Sequence, residues 1–366
     1  MTDPPRRRLE REILAWMRED EWRENEERFE RLALALFAIQ YERCEPFRRF
    51  CDGRGRTPTT VGSWREIPRV PTGAFKEIAL RSFPAERTVH TFLTSGTSTE
   101  RRGALHLDTL ELYEASLLSS FGRFVLPDLR AGERAWILAL APASREVPDS
   151  SLSHMFAVAA RELGAPESGF YVENGGLRTD ALLEDLEMAA ASGAPVALCG
   201  TAFSFVHLLD AMGRRRLALP ETARVMETGG FKGRSRRVAP AELYTQIEQR
   251  LGVPPQRIVN QYGMTELGSQ FYDSVLRLPG ETRRKLGPPW ARVVVVDPET
   301  GEPAAAGEVG AIAALDLANT GSVLALQTAD LGRALEGGFE VLGREPGAEA
   351  RGCSIAADAL LSGPPA

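Results

Sequence analysis

The chain has 366 residues, of which 43% are hydrophobic and 26% charged, and these proportions are typical of a globular protein with one large or two ordinary domains. A formal net charge of −6 argues against the basic surface on which nucleic-acid binding depends. The longest apolar runs are too short to cross a bilayer and no apolar secretion signal opens the chain, so we expect a cytoplasmic protein without a membrane span.

The four cysteines form no C-x-x-C pair, and the four histidines form no cluster of ligands. A zinc site and a disulfide framework are therefore both unexpected in a chain of this size. We expect reduced thiols, with Cys44, Cys51 and Cys199 in structural positions.

The first elements in chain order are helical. Residues 6–44 carry apolar side chains at helical spacing, and residues 52–73 are rich in glycine and proline, which predicts an irregular connector. From residue 88 onward, strand patterns alternate with helix patterns. The strands are predicted at 89–94, 135–142, 195–199, 223–230 and 257–263, and the helices at 108–124, 151–163, 179–192, 202–213 and 239–251, with Asp108 opening the first of them. This alternation predicts right-handed crossovers and a mainly parallel sheet with helices on its faces.

Beyond residue 286 the helical patterns fade. Residues 290–317 indicate two strands around a Gly/Pro turn, and further short strands run to Arg344, which predicts a smaller β-rich unit. A tail with one short helix at 355–361 follows. We therefore divide the chain into an N-terminal helical segment packed on the main domain (1–56), an α/β core (57–286), a β-rich subdomain (287–344) and a C-terminal tail (345–366).

The stretch "TSGTSTERRG" at 94–103 follows a predicted strand and is rich in hydroxyls and glycine. Backbone N–H groups and hydroxyls in such a loop can bind phosphate oxygens, and Arg101 and Arg102 could supply positive charge. The G-x-x-x-x-G-K-[ST] pattern of P-loop proteins is absent. Taken alone, the stretch fits a polar surface turn as well as a phosphate site.

The same stretch resembles T-S-G-[TS]-T-G-x-P-K-G, the phosphate loop of adenylate-forming enzymes, the superfamily of acyl-CoA ligases and luciferases. Arg102 stands where that loop has lysine, while Thr99 and Arg101 replace its usual glycine and proline. Further pieces resemble other motifs of the superfamily and follow in its order, although Ala329 replaces a glycine in one of them. They are "ETGGFKGRS" (227–235), "NQYGMTELGS" (260–269), "DPETGEPAAAGEVG" (297–310), "QTADLG" (327–332) and "LGR" (342–344).

Within this superfamily, three features resemble the LuxE-like acyl-protein synthetases, relatives of phenylacetate–CoA ligase. They are "VPTGAFK" (70–76), "GGFK" (229–232) and "RGCSIAADALL" (351–361). The resemblance implies the α/β large-domain fold of adenylate-forming enzymes, with mainly parallel sheets flanked by helices, a smaller β-rich portion and no full C-terminal lid domain. It also implies ATP and Mg²⁺ as cofactors.

The resemblance assigns a role to each matching position. It implies that the phosphate loop holds the pyrophosphate portion of ATP, that Arg102 acts beside it, and that Thr265 donates to the α-phosphate. Glu266 would hold Mg²⁺, a hard cation that suits carboxylate and phosphate oxygens. The residues of the phosphate loop are Thr94, Ser95, Gly96, Thr97, Ser98 and Thr99, and those placed around adenine are Tyr262, Gly263, Gly229, Gly230 and Phe231.

By the same resemblance, Asp330 accepts hydrogen bonds from the ribose hydroxyls, and Arg344 assists there. For the acyl group, position along the chain suggests His154, Gly200 and Thr201.

Each of these residues also fits a structural role. Tyr262 could be a core aromatic, Asp330 could cap a turn, and Glu266 could be an acid in the first turn of a helix, where the helix dipole favours it. Their occurrence in motif order favours the functional role. For Lys232 a solvated side chain and a phosphate ligand remain equally open.

The tail holds Cys353, beside Arg351 and before a short predicted helix, and both neighbours favour the thiolate form. A thiolate is a strong nucleophile for an acyl-adenylate. In the LuxE-like branch a cysteine near the C-terminus accepts the acyl group before a reductase partner receives it, and the resemblance gives Cys353 that role. The alternative is a small buried thiol that packs as an apolar group.

The lid domain of most adenylate-forming enzymes carries a lysine, and no lysine follows Arg344 here. Either a partner completes the site, or this branch works without the lid.

We therefore expect an AMP-forming acid–thiol ligase. It would activate a carboxylic acid, with fatty acids among the candidates, as an acyl-adenylate and pass the acyl group to Cys353 or to the thiol of a reductase or carrier protein. One alternative is an adenylate-forming ligase that makes an amide or loads a carrier in a biosynthetic pathway. The other is a non-catalytic subunit that binds nucleotide or acyl groups, which the departures at Thr99, Arg101 and Ala329 would suit.

Overall fold

The computed structural model describes residues 4–94, 101–229, 238–298 and 300–344. Contacts divide the chain into two compact units that alternate along the sequence. Unit 1 comprises residues 1–116, 264–270 and 286–366, and unit 2 comprises residues 117–263 and 271–285. The four-part division expected from the sequence stays a prediction.

The described residues contain nine α-helices. These are α1 (Pro4–Met17), α2 (Glu26–Arg43), α3 (Glu45–Asp52), α4 (Ala74–Glu77), α5 (Glu111–Val125), α6 (Ser151–Leu163), α7 (Thr179–Ser192), α8 (Ala202–Met212) and α9 (Pro240–Leu251). None of these helices has the length and apolar character needed to cross a lipid bilayer.

The strands of the described residues run from β1 to β15. They are β1 (Val70–Pro71), β2 (His90–Leu93), β3 (Ala104–Leu107), β4 (Trp136–Pro142), β5 (Gly169–Glu173), β6 (Gly176–Leu177), β7 (Val196–Gly200), β8 (Arg224–Glu227), β9 (Ile258–Tyr262), β10 (Phe271–Asp273), β11 (Lys285–Leu286), β12 (Ala291–Val296), β13 (Val309–Asp316), β14 (Ala325–Leu335) and β15 (Gly338–Arg344).

Unit 1 begins with α1 and α2, which the sequence predicted as one helical region. The helices are separate because Asn25 caps α2, its side chain accepting from Arg28 N at 2.9 Å. The apolar periodicity nevertheless buries one face of each helix, with Trp16, Phe29 and Phe37 at most 1% exposed.

The sheet of unit 1 has the order β12-β13-β14-β15, and all its neighbouring strands are antiparallel. β1 pairs with β14 in the parallel direction, so that Val70 lies opposite Leu326. β2 and β3 form a separate antiparallel hairpin. The last two strands of the β12-β13-β14-β15 sheet carry Asp330 and Arg344.

The sheet of unit 2 has the order β10-β9-β8-β7-β4-β5-β6. Its central strands are parallel, and β10 and β6 at its two ends are antiparallel to their neighbours. Helices α7, α8 and α9 bury apolar side chains in one core with these strands. The predicted α/β fold with a mainly parallel sheet and flanking helices is thus confirmed, together with the smaller β-rich portion.

The predicted start of one helix was wrong. α5 begins at Glu111, and Asp108 does not open it. The Asp108 carboxylate instead accepts from Arg6 Nη1 at 3.0 Å and Nη2 at 2.6 Å, and from Arg87 Nη2 at 3.2 Å. A bidentate arginine contact outweighs the weaker attraction of a helix N-terminus. The predicted tail helix at 355–361 lies outside the described residues.

Candidate active site

The Y-G-x-T-E residues lie on a segment that passes from one unit to the other. Tyr262 ends β9 and Gly263 follows it in unit 2, whereas Thr265 and Glu266 belong to the 264–270 segment of unit 1. Thr265 and Glu266 form a turn. The alternative that Glu266 is an acid in the first turn of a helix is therefore wrong.

Buried hydrogen bonds anchor the Glu266 segment within unit 1. Asn319 Nδ2 donates to the main-chain oxygen of Glu266 at 2.7 Å. Ser269 donates twice to the Asp316 carboxylate, through its N and its Oγ, each at 2.7 Å, and Ala318 N donates to the same carboxylate at 2.9 Å. Burial raises the pKa of Asp316, and these hydrogen bonds act in the opposite direction. The end of β13 and the turn after it thus fix the segment that carries Glu266.

The same hydrogen-bonded chain extends further into the core of unit 1. Ser116 Oγ and Ser269 Oγ are 2.9 Å apart, and Trp290 Nε1 donates to Ser116 Oγ at 2.9 Å. All three residues are at most 1% exposed. Gly268 completes the close packing, because a Cβ added there would lie 2.9 Å from the Cβ of Ala318. These contacts extend the hydrogen-bonded support of the segment into the core of unit 1.

Burial and three charged side chains of unit 1 shift the pKa of Glu266. It is 7% exposed, and burial raises the pKa of its carboxyl to about 7. The positive charges of Arg344 and Lys76 lower that pKa, and the negative charge of Asp330 raises it. The charges of Arg344, Lys76 and Asp330 therefore act on the Glu266 carboxyl, and the roles predicted for Glu266, Asp330 and Arg344 stay predictions.

Lys76 is the member of this group that the sequence did not single out as a site residue. It lies on α4, within the "VPTGAFK" stretch that was quoted only for its family resemblance. Nothing in the local pattern relates Lys76 to Glu266, because their proximity depends on the packing of distant segments.

Asp330 and Arg344 face each other across β14 and β15, where they are paired in register. Arg344 Nε lies 3.4 Å from Asp330 Oδ1. The Asp330 side chain is 16% exposed and the Arg344 side chain 68% exposed. The guanidinium is thus largely exposed, whereas the carboxylate is mostly buried.

The donors around Glu266 suit a magnesium ion better than a metal held by protein alone. Among the described residues, no group of three or more His, Cys, Asp and Glu side chains could hold a metal ion. Mg²⁺ commonly takes one or two carboxylates and completes its shell with phosphate oxygens and water. Because burial leaves the negative charge of Glu266 poorly compensated, the Glu266 carboxylate fits such an ion, with Asp330 adding negative charge nearby.

Of the predicted phosphate loop, the structure describes the two ends. Ser95, Gly96, Thr97, Ser98 and Thr99 lie outside the described residues. Thr94 and Gly103 close the base of the loop, with Gly103 N donating to Thr94 Oγ1 and Thr94 N donating to Gly103 O, both at 2.8 Å. Arg102 Nε donates to Thr94 O at 2.6 Å. Arg102 thus supports the base of the loop.

Gly200, Gly229 and Tyr262 lie at or just after the carboxyl ends of the neighbouring parallel strands β7, β8 and β9. Thr228 N donates to Gly200 O at 3.1 Å, and Ala202 N donates to Gly229 O at 3.3 Å. A side chain at Gly200 would force its neighbours to move, since a Cβ there would lie 2.6 Å from Ser204 Oγ and 2.9 Å from the Leu140 Cβ. In open α/β sheets this edge is where ligands bind.

The side chains of the other predicted residues in unit 2 have defined surroundings. Thr201 caps α8, its Oγ1 accepting from Ser204 N at 3.1 Å. His154 is half-buried in the first turn of α6. The ring of Tyr262 is half-buried and lies 6.3 Å from the ring of Phe271, centroid to centroid. Gly230, Phe231 and Lys232 lie outside the described residues.

A second buried polar cluster in unit 2 was not predicted. Glu227 Oε1 accepts from Tyr244 Oη at 2.8 Å and from Asn260 Nδ2 at 2.6 Å, while Glu227 Oε2 accepts from Gly229 N at 2.6 Å. Lys285 Nζ donates to Asn260 O at 2.7 Å. Asn260, just before the Y-G-x-T-E motif, was the one sequence clue to this cluster. Its partners Glu227 and Lys285 lie far from it in sequence.

The three cysteines described by the structure are buried and free of disulfide bonds. Burial raises the pKa of Cys44 to about 11 and of Cys51 to about 12, and it raises the pKa of Cys199 as well. Such thiols are poor nucleophiles at neutral pH. Cys353 lies outside the described residues.

Comparison with known proteins identifies the family. The family model described as "Acyl-protein synthetase, LuxE" matches residues 9–361 of the chain. The chain belongs to the LuxE acyl-protein synthetase family. Its membership makes it an AMP-forming ligase, and the sequence prediction of the LuxE-like branch is confirmed.

One curated relative of this LuxE family member is the long-chain-fatty-acid–luciferin-component ligase of Aliivibrio fischeri. The two sequences are 24% identical over 330 residues, which cover 88% of this chain and 83% of the relative.

Solved structures agree in fold with the LuxE family member. A 2-hydroxyisobutyryl-CoA ligase in an open conformation superposes with a TM-score of 0.62 at 15% identity, covering 86% of this chain and 74% of that one. A long-chain-fatty-acid–CoA ligase from Archaeoglobus fulgidus gives 0.51 at 17% identity, with 72% and 52% covered. At these identities the likeness concerns the fold.

Proposed function

We propose that this chain uses ATP and Mg²⁺ to convert a carboxylic acid, with long-chain fatty acids as the first candidates, into an acyl-adenylate. It then transfers the acyl group to a protein thiol, that of Cys353 or of a partner. The grouping of Glu266 with Asp330, Arg344 and Lys76 in unit 1 carries the proposal, since it combines a metal-binding carboxylate with cations suited to phosphate. The names of the curated relative and of the ligases of similar fold point to the same chemistry.

The first step exchanges a poor leaving group for a good one. A carboxylate oxygen attacks the α-phosphorus of ATP, and the bond to pyrophosphate breaks. Mg²⁺, when bound at Glu266, would neutralise charge that develops on the phosphate oxygens. Arg344 and Lys76 would add fixed positive charge, and Asp330 would orient the ribose through its hydroxyls. Much of the barrier in such reactions is overcome by positioning.

The second step forms the thioester. The thiolate attacks the acyl carbon, and AMP leaves with the electron pair of the anhydride bond. We assign this role to Cys353 because the other cysteines are buried and have raised pKa values. The final acceptor would be a protein that presents a thiol or receives the acyl group for reduction.

Two measurements test the proposal. Acid-dependent exchange of pyrophosphate into ATP is expected across a panel of fatty and aromatic acids. Mass spectrometry after incubation with ATP and an active acid should show an acyl adduct that hydroxylamine removes. The variant Cys353→Ser should lose the adduct and keep the exchange. Turnover with no adduct, but with amide formation or carrier loading, would favour the biosynthetic ligase instead.

A further inference from the structure

The buried cluster of unit 2 is placed at the ligand-binding edge of its sheet. Glu227 is the last residue of β8, and Asn260 lies on the neighbouring parallel strand β9. Glu227 is 3% exposed and accepts hydrogen bonds from three groups, the Tyr244 hydroxyl, the Asn260 amide and the main-chain N of Gly229. The carboxylate therefore joins the end of the strand to the glycine that follows it.

Gly229 is held by both of its main-chain polar groups. Its N donates to Glu227 at 2.6 Å, and its O accepts from Ala202 N at 3.3 Å. Its φ of +64° lies in the left-handed region, which glycine adopts without strain. With the amide and the carbonyl both engaged, Gly229 presents its Cα methylene and peptide plane. Such a surface suits the flat face of a nucleobase.

The cluster continues from Asn260 to a buried lysine. Lys285 Nζ donates to the side-chain oxygen of Asn260, to the Asn260 main-chain O at 2.7 Å and to Asp273 Oδ1 at 2.8 Å. Asp273 Oδ2 also accepts from Asn260 N at 3.0 Å and from Arg283 Nη1 at 2.5 Å. The Asn260 amide is thus fixed from both sides, by Glu227 and by Lys285.

We propose that Glu227 and Lys285 act through Asn260 and Gly229 as positioning residues, which set the surface of unit 2 against which the base of ATP stacks. This inference rests on the proposed function, because it takes ATP as the ligand.

Stability alone gives little reason for such a cluster. Burying a lysine and two carboxylates costs desolvation energy, and apolar side chains of similar size often stabilise a fold equally well. A fully satisfied polar network instead selects one geometry. Here that geometry ends at a glycine which the sequence motif assigns to the nucleotide.

The mildest test removes one hydroxyl. The variant Tyr244→Phe takes one donor from Glu227, and we expect the apparent KM for ATP to rise about threefold to tenfold, with the KM for the acid unchanged. The matched control is Tyr171→Phe in the same unit, which removes a hydroxyl that donates to Asp185 Oδ2 at 2.5 Å. The control should keep the wild-type KM for ATP.

A double-mutant cycle shows whether the effect passes through Gly229. In the background of Gly229→Ala, whose left-handed backbone is strained, the addition of Tyr244→Phe should change the Kd for ATP by less than twofold. Calorimetric titration of ATP gives this Kd without turnover. Fully additive effects would contradict the proposal, since they would mean that Tyr244 does not act through Gly229.

The variant Lys285→Met tests the other end of the cluster. If this variant does not fold, the KM for ATP of Tyr244→Phe decides the test. A folded Lys285→Met chain is expected to bind ATP at least tenfold more weakly and the acid normally. If the wild-type chain exchanges pyrophosphate while Tyr244→Phe and Lys285→Met leave the KM for ATP unchanged, this inference fails and the proposed function stands. If the wild-type chain does not bind ATP, both fail.

Discussion

Asp330 and Arg344 are direct cross-strand partners on β14 and β15, with Arg344 Nε 3.4 Å from Asp330 Oδ1. The two residues belong to separate sequence motifs, and the antiparallel register brings them together. An ion pair whose guanidinium is largely exposed to solvent contributes little to stability. We propose that this pair instead binds the ribose hydroxyls and phosphates of ATP.

Arg344→Ala is accordingly expected to raise the apparent KM for ATP about tenfold in pyrophosphate exchange, with no measurable change in the melting temperature. The matched control is Arg333→Ala, since Arg333 faces Glu340 on the same two strands at 3.9 Å. Equal effects of the two variants on the KM would show that the Asp330–Arg344 pair has no special relation to the nucleotide.

The variant Glu266→Gln should lower the activity and raise the stability of the folded chain. The folded chain has a Glu266 pKa of about 7, above the ordinary value of 4.5, so the ionised carboxylate is disfavoured by folding. The resulting loss in the free energy of unfolding is absent at low pH, grows as the pH rises from about 4.5 to about 7, and is complete above that. Glutamine is uncharged, so it causes no such loss.

In a chain free of nucleotide and metal, Glu266→Gln should therefore unfold with a higher free energy at pH 8, by an amount on the order of 1–3 kcal/mol, and with a smaller gain at pH 5. Denaturant titrations at the two pH values measure the difference. Pyrophosphate exchange should fall about 100-fold or more. A stability gain that is equal at both pH values would contradict the assigned pKa.

Asp316 supports the Glu266 segment, and its replacement should be costly. Asp316→Asn places an amide N–H among donors from Ser269 and Ala318, so we expect a loss of roughly 3–5 kcal/mol in the free energy of unfolding. Ser116→Ala removes one neutral partner from Trp290 and Ser269, and roughly 1–3 kcal/mol is expected. Urea unfolding compares the two, and the reverse ranking would refute this account of the anchor.

Thiol labelling distinguishes Cys353 from the other cysteines. With a pKa of about 11 for Cys44, only about 0.1% of its thiol is ionised at pH 8, and Cys51 and Cys199 are still less ionised. A thiol that accepts acyl groups must be reachable by reagents. We expect rapid native labelling of one thiol per chain, lost in Cys353→Ser, and labelling of all four cysteines after unfolding. Rapid native labelling at Cys44, Cys51 or Cys199 would contradict their structural assignment.

The sequence predicted the regular elements of unit 2 well. The bounds of α6 and α7 coincide with the predicted helices, because apolar periodicity and end signals agree there. Short elements such as β6 and β10 escaped prediction, since two or three residues carry no periodicity. The outcome at Asp108 shows the other limit, as a distant arginine determines its role.

The candidate site likewise contains residues that the sequence singled out and residues that it did not. Motif order singled out Glu266, Asp330 and Arg344. The structure pairs Asp330 with Arg344, and the charges of both act on Glu266, while their roles stay predictions. The sequence singled out neither Lys76 nor Lys285 as a site residue. Their partners lie far away in sequence or on another strand, and pairwise packing of that kind leaves no local pattern.

The anchoring of Glu266 has a consequence for biosynthesis. The Asn319 amide that binds its carbonyl is synthesised 53 residues later, and Asp316, which fixes Ser269, follows 47 residues after that serine. During translation, the motif segment is therefore synthesised before the residues that support it. A nascent chain arrested ahead of residue 316 would contain the whole Y-G-x-T-E motif and still lack the means to shape it.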